Sequence, residues 1–288
     1  MKYGFIRTHQ AQFRVAGLCR VLRVSRSGYY AWRDRPPSAR EQADRRLLEE
    51  IRRVHHTHYE AYGALKTWRA LNGQGIACGK HRVARLRSAA GIEAKRKRRF
   101  RIITEHHHTS AAAPDLIERR FRVDQPDRAW VGDMTFIRTR QGWLYLAMLL
   151  DLYSRRVVGW AMGERPEEAL PLNALEMAIA QRRPAPGLIH HTDQGVIYRA
   201  KRYRQRLAST GMRASMGAKG SAYDNAVAES FFSNLKNELV HHCRFETREA
   251  ARTAIFTYIE LFYNRRRLHQ ALGYRTPMKF EQIYENGA

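Results

Sequence analysis

The chain has 288 residues, 44% of them hydrophobic, with 52 Lys and Arg against 27 Asp and Glu, a formal charge of +25 and a pI near 10.7. That hydrophobic share excludes a disordered polyelectrolyte, and the length leaves room for one catalytic domain with one or two small modules. A charge of this size repels itself unless it faces a polyanion, usually nucleic acid; composition alone leaves a basic protein of ribosomal type open.

The excess is uneven. Residues 1–100 carry 24 Lys and Arg against 7 Asp and Glu, a net +17, which leaves +8 for the other 188 residues. Cys19, Cys78 and Cys243 form no C-x-x-C pair, which argues against a disulfide framework and fits a reducing cytosol. The longest apolar run, Trp143–Leu150, falls far short of the ~20 residues that span a bilayer. With no apolar stretch behind the basic N-terminus, the expectation is a cytoplasmic protein without membrane contact.

Residues 1–38 read as a helix-turn-helix segment. Val15, Leu18, Cys19, Val21 and Leu22 are expected on one buried face, and Ser25 stands where an N-cap is wanted, before Arg26 and the run to Trp32. Pro36-Pro37 breaks the chain. Residues 39–94 read as a helical DNA-binding module: Leu47, Leu48, Ile51 and Val54 mark a first helix, Tyr62–Leu71 a second and Lys80–Ala90 a third. In the third, Val83, Ala84 and Leu86 are expected inward, with Arg82, Arg85 and Arg87 on the side that would meet phosphate. Residues 95–121 read as a basic linker, with Lys95, Arg96, Lys97, Arg98 and Arg99 placed to lie along phosphates.

Residues 122–288 carry an α/β pattern. Trp130–Ile137, Gly142–Leu150 and Arg156–Met162 read as an antiparallel meander. Glu167–Gln181 reads as a helix, Leu188–Asp193 as a buried strand, Arg202–Ser209 as a helix and Met212–Met216 as a short strand. Helices follow from Ala226. This is a mixed-sheet α/β layout.

Three carboxylates stand out. Asp133 occupies a strand position that would ordinarily be apolar, and Asp193 ends the later strand, where a carboxylate can face a crevice. On the helix 226–239, Ala228, Phe231, Phe232, Leu235 and Leu239 form one apolar stripe; Asn225, Glu229 and Lys236 fall at its edge. Three converging carboxylates repel one another unless a cation sits among them. An oxygen-only donor set suits Mg²⁺ or Mn²⁺, and two such ions serve in-line displacement at phosphorus.

Trp130-Val-Gly-Asp-Met-Thr-Phe-Ile137, His191-Thr-Asp-Gln-Gly195 and Tyr223-Asp-Asn-Ala-Val-Ala-Glu-Ser-Phe-Phe232 resemble the three catalytic blocks of bacterial insertion-sequence transposases, in the family that encodes its transposase in two overlapping frames. The 35 residues between Asp193 and Glu229 match that family's D,D-35-E spacing, shared with retroviral integrases. Tyr263–Pro277, Leu18–Tyr30 and Tyr62–Trp68 match its other segments, so the resemblance covers nearly the whole chain. The run after Asp193 and the stretch Met216–Tyr223 depart from its commoner forms.

The resemblance implies a ribonuclease H-like catalytic core with Asp133, Asp193 and Glu229 as catalytic metal ligands. It implies cleavage and strand transfer at the ends of a bacterial element, and Lys236 at a phosphate, with Asn225, Arg26, Arg82, Arg85 and Lys95–Arg99 as further candidate DNA contacts. Double-stranded DNA, both element ends and target, is the implied partner, met by a homo-oligomer on the nucleoid. A first-frame product, fused or separate, is the implied protein partner. Asp151 and Asp224 are read as turn and helix caps. Without a paired cysteine motif, His55, His56, His58 and His106–His108 are read as structural rather than zinc-binding. The alternative is a non-catalytic DNA-binding protein derived from a transposase; a structure-specific nuclease would share the carboxylates but has no need of the Tyr263–Pro277 segment.

Overall fold

The computed structural model describes residues 1–95, 113–217 and 225–287. Arg96, Lys97, Arg98, Arg99, His106–His108 and Asp224 lie outside them. Contacts divide the chain into two compact units, Met1–Glu50 and Ile51–Ala288.

In the first unit, α1 (Lys2–His9), α2 (Val15–Val21) and α3 (Arg26–Arg33) enclose Ile6, Cys19 and Tyr29. Ser25 caps α3 as expected, its Oγ accepting the Gly28 N–H at 2.9 Å. Val21 is a correction: it is 80% exposed. Val15, Leu18, Cys19 and Leu22 cluster on one helix face, whereas Val21 points roughly 110° away from its centre. Helix α1 buries only Ile6 fully, with Tyr3 packed partly against the same core, too sparse a pattern to betray it in the sequence.

Helix α4 (Ala39–Thr57) runs across the boundary between the units. In the second unit it is followed by α5 (Ala64–Gly73) and α6 (Lys80–Ala89). Val83 and Leu86 face inward, but so does Arg87, expected outside with Arg82 and Arg85. Four residues on from Val83, Arg87 shares its face, and its Nη1 donates to Thr67 Oγ1 at 3.0 Å. Lys95 is half-buried; its N–H donates to the Glu60 carbonyl at 2.9 Å.

The α/β expectation holds. A five-stranded sheet is built from β1 (Ala129–Thr139), β2 (Gly142–Asp151), β3 (Val157–Gly163), β4 (Ile189–Thr192) and β5 (Arg213–Met216), in the order β3-β2-β1-β4-β5. The first three strands form the antiparallel meander, and β4 and β5 run parallel to β1, which makes the sheet mixed and ribonuclease H-like. Strand alternation feeds two cores. Val131, Ile137, Leu144, Leu146, Met148 and Leu150 pack on one side with α10 (Ala226–Glu238), α11 (Arg248–Phe256) and the wide π-helical turn Thr257–Tyr263. Trp130, Ala147, Leu149 and Val158 pack on the other with α7 (Ala169–Arg182) and α9 (Lys201–Ser209), which a short α8 (Val196–Arg199) precedes. The last helix is α12 (Pro277–Glu285), capped by Thr276.

The segment Tyr263–Pro277 is a clasp. Tyr263 meets Phe231 of α10 edge-on at 4.8 Å, and Asn264 pairs with both backbone groups of Val157 in β3 at 3.0 Å each. Arg267 makes a bidentate pair with buried Glu238 of α10, closest at 2.7 Å. The Leu268 N–H reaches back to the Tyr62 hydroxyl at 2.6 Å, which ties the helical module to the sheet-packed clasp of the same unit.

Candidate active site

Strand β1 pairs with β2 along its whole length, Asp133 opposite Met148, but with β4 only over Ala129–Val131. Beyond Val131 no strand pairs with its second edge among the described residues, and α10 packs against β1. Gly132 makes the junction possible: a Cβ there would stand 2.9 Å from His190 Cε1 and 3.3 Å from Thr192 Cγ2 on β4. The next residue, Asp133, is therefore the first side chain at the opening, half-buried, with Oδ1 accepting the Met134 N–H at 2.7 Å.

Asp193 follows the last residue of β4, at the carboxyl end of a strand parallel to β1. It is exposed, and its Oδ1 accepts the Gly195 N–H at 2.9 Å. A Cβ at Gly195 would stand 2.8 Å from that oxygen, so a side chain there would displace the Asp193 carboxylate. Gln194 holds the loop to the end of β5, its Nε2 donating to the Gly217 carbonyl at 3.0 Å. Behind the loop, buried Tyr198 has its hydroxyl held far above the ordinary phenol range, by burial first and then by Asp133, Tyr203 and Asp193. Sequence reasoning missed Tyr198; the only signal was a large aromatic three residues past Gly195.

Glu229 sits in the first turn of α10 and is exposed, though burial still raises its acid. Asn225 precedes that helix and is buried, with Nδ2 directed at the Gly132 carbonyl at 3.4 Å and Oδ1 unpartnered among the described residues. It links the start of α10 to the backbone beside Asp133. Two turns along, Lys236 is half-buried; burial lowers its ammonium while Asp133 opposes that shift.

These groups act on one another. Asp133 is pushed up to about 8, by burial first, then by the Asp193 carboxylate, and also by Glu229; the Met134 N–H and Lys236 pull the other way. Among the described residues, no three His, Cys, Asp or Glu side chains lie close enough to hold an ion together. Asp133 thus feels both of the other carboxylates, but the three do not close into a chelate. Their chemistry still suits a hard divalent cation, which favours carboxylate oxygens and offsets the repulsion seen at Asp133.

Arg26 is exposed at the start of α3, Arg85 is exposed and Arg82 half-buried on α6. Asp151 is fully buried and acts as a turn cap: Oδ1 accepts the Ser154 N–H at 2.8 Å and Oδ2 accepts the Asp127 N–H at 2.8 Å.

Comparison with known proteins agrees with this layout. Residues 123–222 and 229–283 match two families described as integrase core domain, and residues 41–100 match an HTH-like domain. The insertion element IS600 31 kDa protein of Shigella sonnei is 44% identical over 271 residues, 94% of this chain and all of that one. The transposase InsF for insertion sequence IS3A of Escherichia coli strain K12 is 40% identical over 283 residues, 98% of each chain. Among solved structures, the HTLV-2 integrase catalytic core in complex with magnesium is similar at a TM-score of 0.41 and 17% identity, covering 55% of this chain and 97% of that one. A simian T-cell lymphotropic virus intasome chain is similar at a TM-score of 0.46 and 15% identity, covering 81% and 74%. With integrase-core matches that take in its carboxylates and 40% identity to an InsF transposase over 98% of each chain, the chain belongs to the insertion-sequence transposase family and is a DNA transposase.

Proposed function

We propose that this transposase cuts and joins DNA strands at the ends of its insertion sequence, and that Asp133, Asp193 and Glu229 are its catalytic residues. The observation that carries this reading is their placement. Three carboxylates from β1, the end of β4 and the first turn of α10 share one opening, with Lys236 beside them and no ion pair to any of the three among the described residues. Together they would hold divalent ions, two Mg²⁺ or Mn²⁺. Bound there, such ions supply activation of water or a 3′-hydroxyl and stabilise the departing oxygen.

The chain's own residues do the rest. Lys236 offers an ammonium to a phosphate oxygen beside the scissile bond. Asn225 fixes the start of α10 on the Gly132 carbonyl, so that Glu229 and Asp133 keep their relation. Arg26, Arg82, Arg85 and the run Lys95–Arg99 supply the charge that holds duplex DNA, within a helix-turn-helix segment (1–38), a helical module (39–94) and a basic linker (95–121) ahead of the core (122–288). A homo-oligomer on DNA, made alone or fused to a first-frame product, is the working form.

A strand-transfer assay with labelled element ends tests this in Mg²⁺, with Asp133→Asn, Asp193→Asn and Glu229→Gln beside the unaltered chain. Joining by the unaltered chain and its loss in each folded variant is the expected result. Joining by folded Glu229→Gln at the unaltered rate rejects the assignment. A folded chain that binds DNA but neither cuts nor joins favours the non-catalytic alternative.

A further inference from the structure

Three residue steps beyond Asp133, β1 carries a second feature that the metal-site reading leaves unused. In the β1–β2 register Phe136 faces Tyr145 and Arg138 faces Trp143. Opposed residues of an antiparallel pair project to the same side, so these four share one surface near the hairpin tip. Phe136 and Trp143 meet edge to face at 5.0 Å and 82°, yet each remains 46% exposed. On this side of the sheet α7 packs on β2 and β3, and among the described residues Phe136 and Arg138 in the outer half of β1 remain exposed.

The pair is held firmly for an exposed one. Arg248 Nε donates to the Trp143 carbonyl at 3.1 Å, and the Arg248 N–H donates to Gln141 Oε1 at 2.9 Å, which fixes the hairpin to the start of α11. Lys236 reaches it around the open edge of β1, its Nζ 5.4 Å from the centre of the Phe136 ring. The same ammonium lies within the field of Asp133. One lysine therefore joins the carboxylate opening to the aromatic surface, and exposed Arg138 stands on the far side of it.

We propose that Phe136 and Trp143 form a stacking platform for an unpaired nucleobase next to the scissile phosphate, with Lys236 on the phosphate between them. This rests on the transposase chemistry proposed above. The occupant follows from charge and shape. A flat aromatic surface flanked by cations suits the alternation of base and phosphate along one strand. A paired base shows its edges and keeps its faces in the stack, so only a base freed from its partner offers a face. A second copy of this chain brings +25 of like charge to the same cationic rim. Because every base has such a face, the platform favours single strands over duplex with little preference for sequence.

The test uses the full chain with a twenty-residue oligodeoxythymidine carrying one 5-iododeoxyuridine, irradiated in Ca²⁺ buffer, and the same strand annealed to its complement. Mass spectrometry should find the single-strand adduct on Phe136 or Trp143 and far less of it from the duplex. Trp143→Leu and Phe136→Leu, each confirmed as folded by thermal melting, should remove that adduct and weaken single-strand binding roughly tenfold while leaving duplex binding unchanged. Adducts confined to other segments, or unchanged single-strand affinity in both folded variants, overturn the platform. So does a concentration-dependent dimer that Trp143→Leu dissolves, because the surface is then an interface between copies. The cross-link needs no catalysis. An unaltered chain that cross-links here but never joins strands condemns the catalytic reading, and one that joins strands without cross-linking here condemns the platform alone.

Discussion

Two acidic clusters lie about 10 Å apart along β1 and differ in how their charge is met. At the start of the strand, Asp127, Asp151 and Glu281 are surrounded by donors. Arg182 Nε donates to both Asp127 oxygens at 3.0 Å, and Glu281 receives Arg182 at 2.9 Å, Arg156 at 2.7 Å and the Ser154 hydroxyl at 2.7 Å. Beyond Gly132, Asp133, Asp193 and Glu229 share one opening with only Lys236 opposing the rise of Asp133 among the described cations. The first cluster fastens α12 to α7 and the β2–β3 turn. The second costs the fold free energy by itself, which is the mark of a place where a ligand completes the electrostatics.

The comparison breaks most visibly in chemistry. Removing one charge from the uncompensated cluster, by Asp133→Asn, Asp193→Asn or Glu229→Gln, should lower cleavage and joining on the order of a thousandfold or more, with DNA affinity kept or raised as repulsion from phosphate falls. Gel-resolved products and a binding titration on the same preparations read both quantities. A parallel loss of DNA binding and fold instead makes these acids structural.

In the compensated cluster the large effect should be on stability. Glu281→Ala takes their shared carboxylate from Arg182 and Arg156, both partly exposed, while Arg182 keeps Asp127, and should cost about 2–3 kcal/mol, seen as a lower melting temperature, while strand transfer survives at a permissive temperature. Asp151→Asn should be milder. It turns a donor toward the Asp127 N–H, but burial already holds this acid up to about 6, so losing the charge returns part of the cost. A net loss of about 1–2 kcal/mol with chemistry retained is expected in denaturant melts.

Much of this was legible because it is periodic. The alternation around Asp133 gave β1, the apolar stripe gave α10 and the direction of Glu229 and Lys236, and Ser25 gave the start of α3. Arg87 is a long cation whose type argues for the outside, but its spacing from Val83 puts it inside. Val21 was grouped by hydrophobicity against its own helical angle. What no local pattern could give is contact across the chain: the Tyr62 hydroxyl on Leu268, Asn225 on the Gly132 carbonyl, and Tyr198 behind two carboxylates. These depend on how β1, β4 and α10 meet, and a sequence displays only the elements.

The smallest expected effect has the opposite sign and separates the clusters most sharply. In the unfolded chain the Asp133 carboxyl titrates near its ordinary value of 3.8, and in the folded, metal-free protein it is held at about 8. Between those values the folded state keeps a proton that the unfolded state has released, so stability falls as pH rises from about 4 to about 8 and then levels off. Asn at this position has no proton to release. With metal chelated, Asp133→Asn should therefore melt with the unaltered chain near pH 4 and above it at pH 8, by a margin on the order of 1–2 kcal/mol, the scale of a one-unit shift in a site only half-buried. Adding Mg²⁺ should raise the melting temperature of the unaltered chain and close or reverse the gap, because the variant has lost a ligand. Asp151→Asn, assayed alongside, should melt below the unaltered chain at pH 8 with or without the ion. If Asp133→Asn is instead the less stable protein at pH 8 in chelator, the carboxylate is compensated within the fold and the contrast between the two clusters is gone.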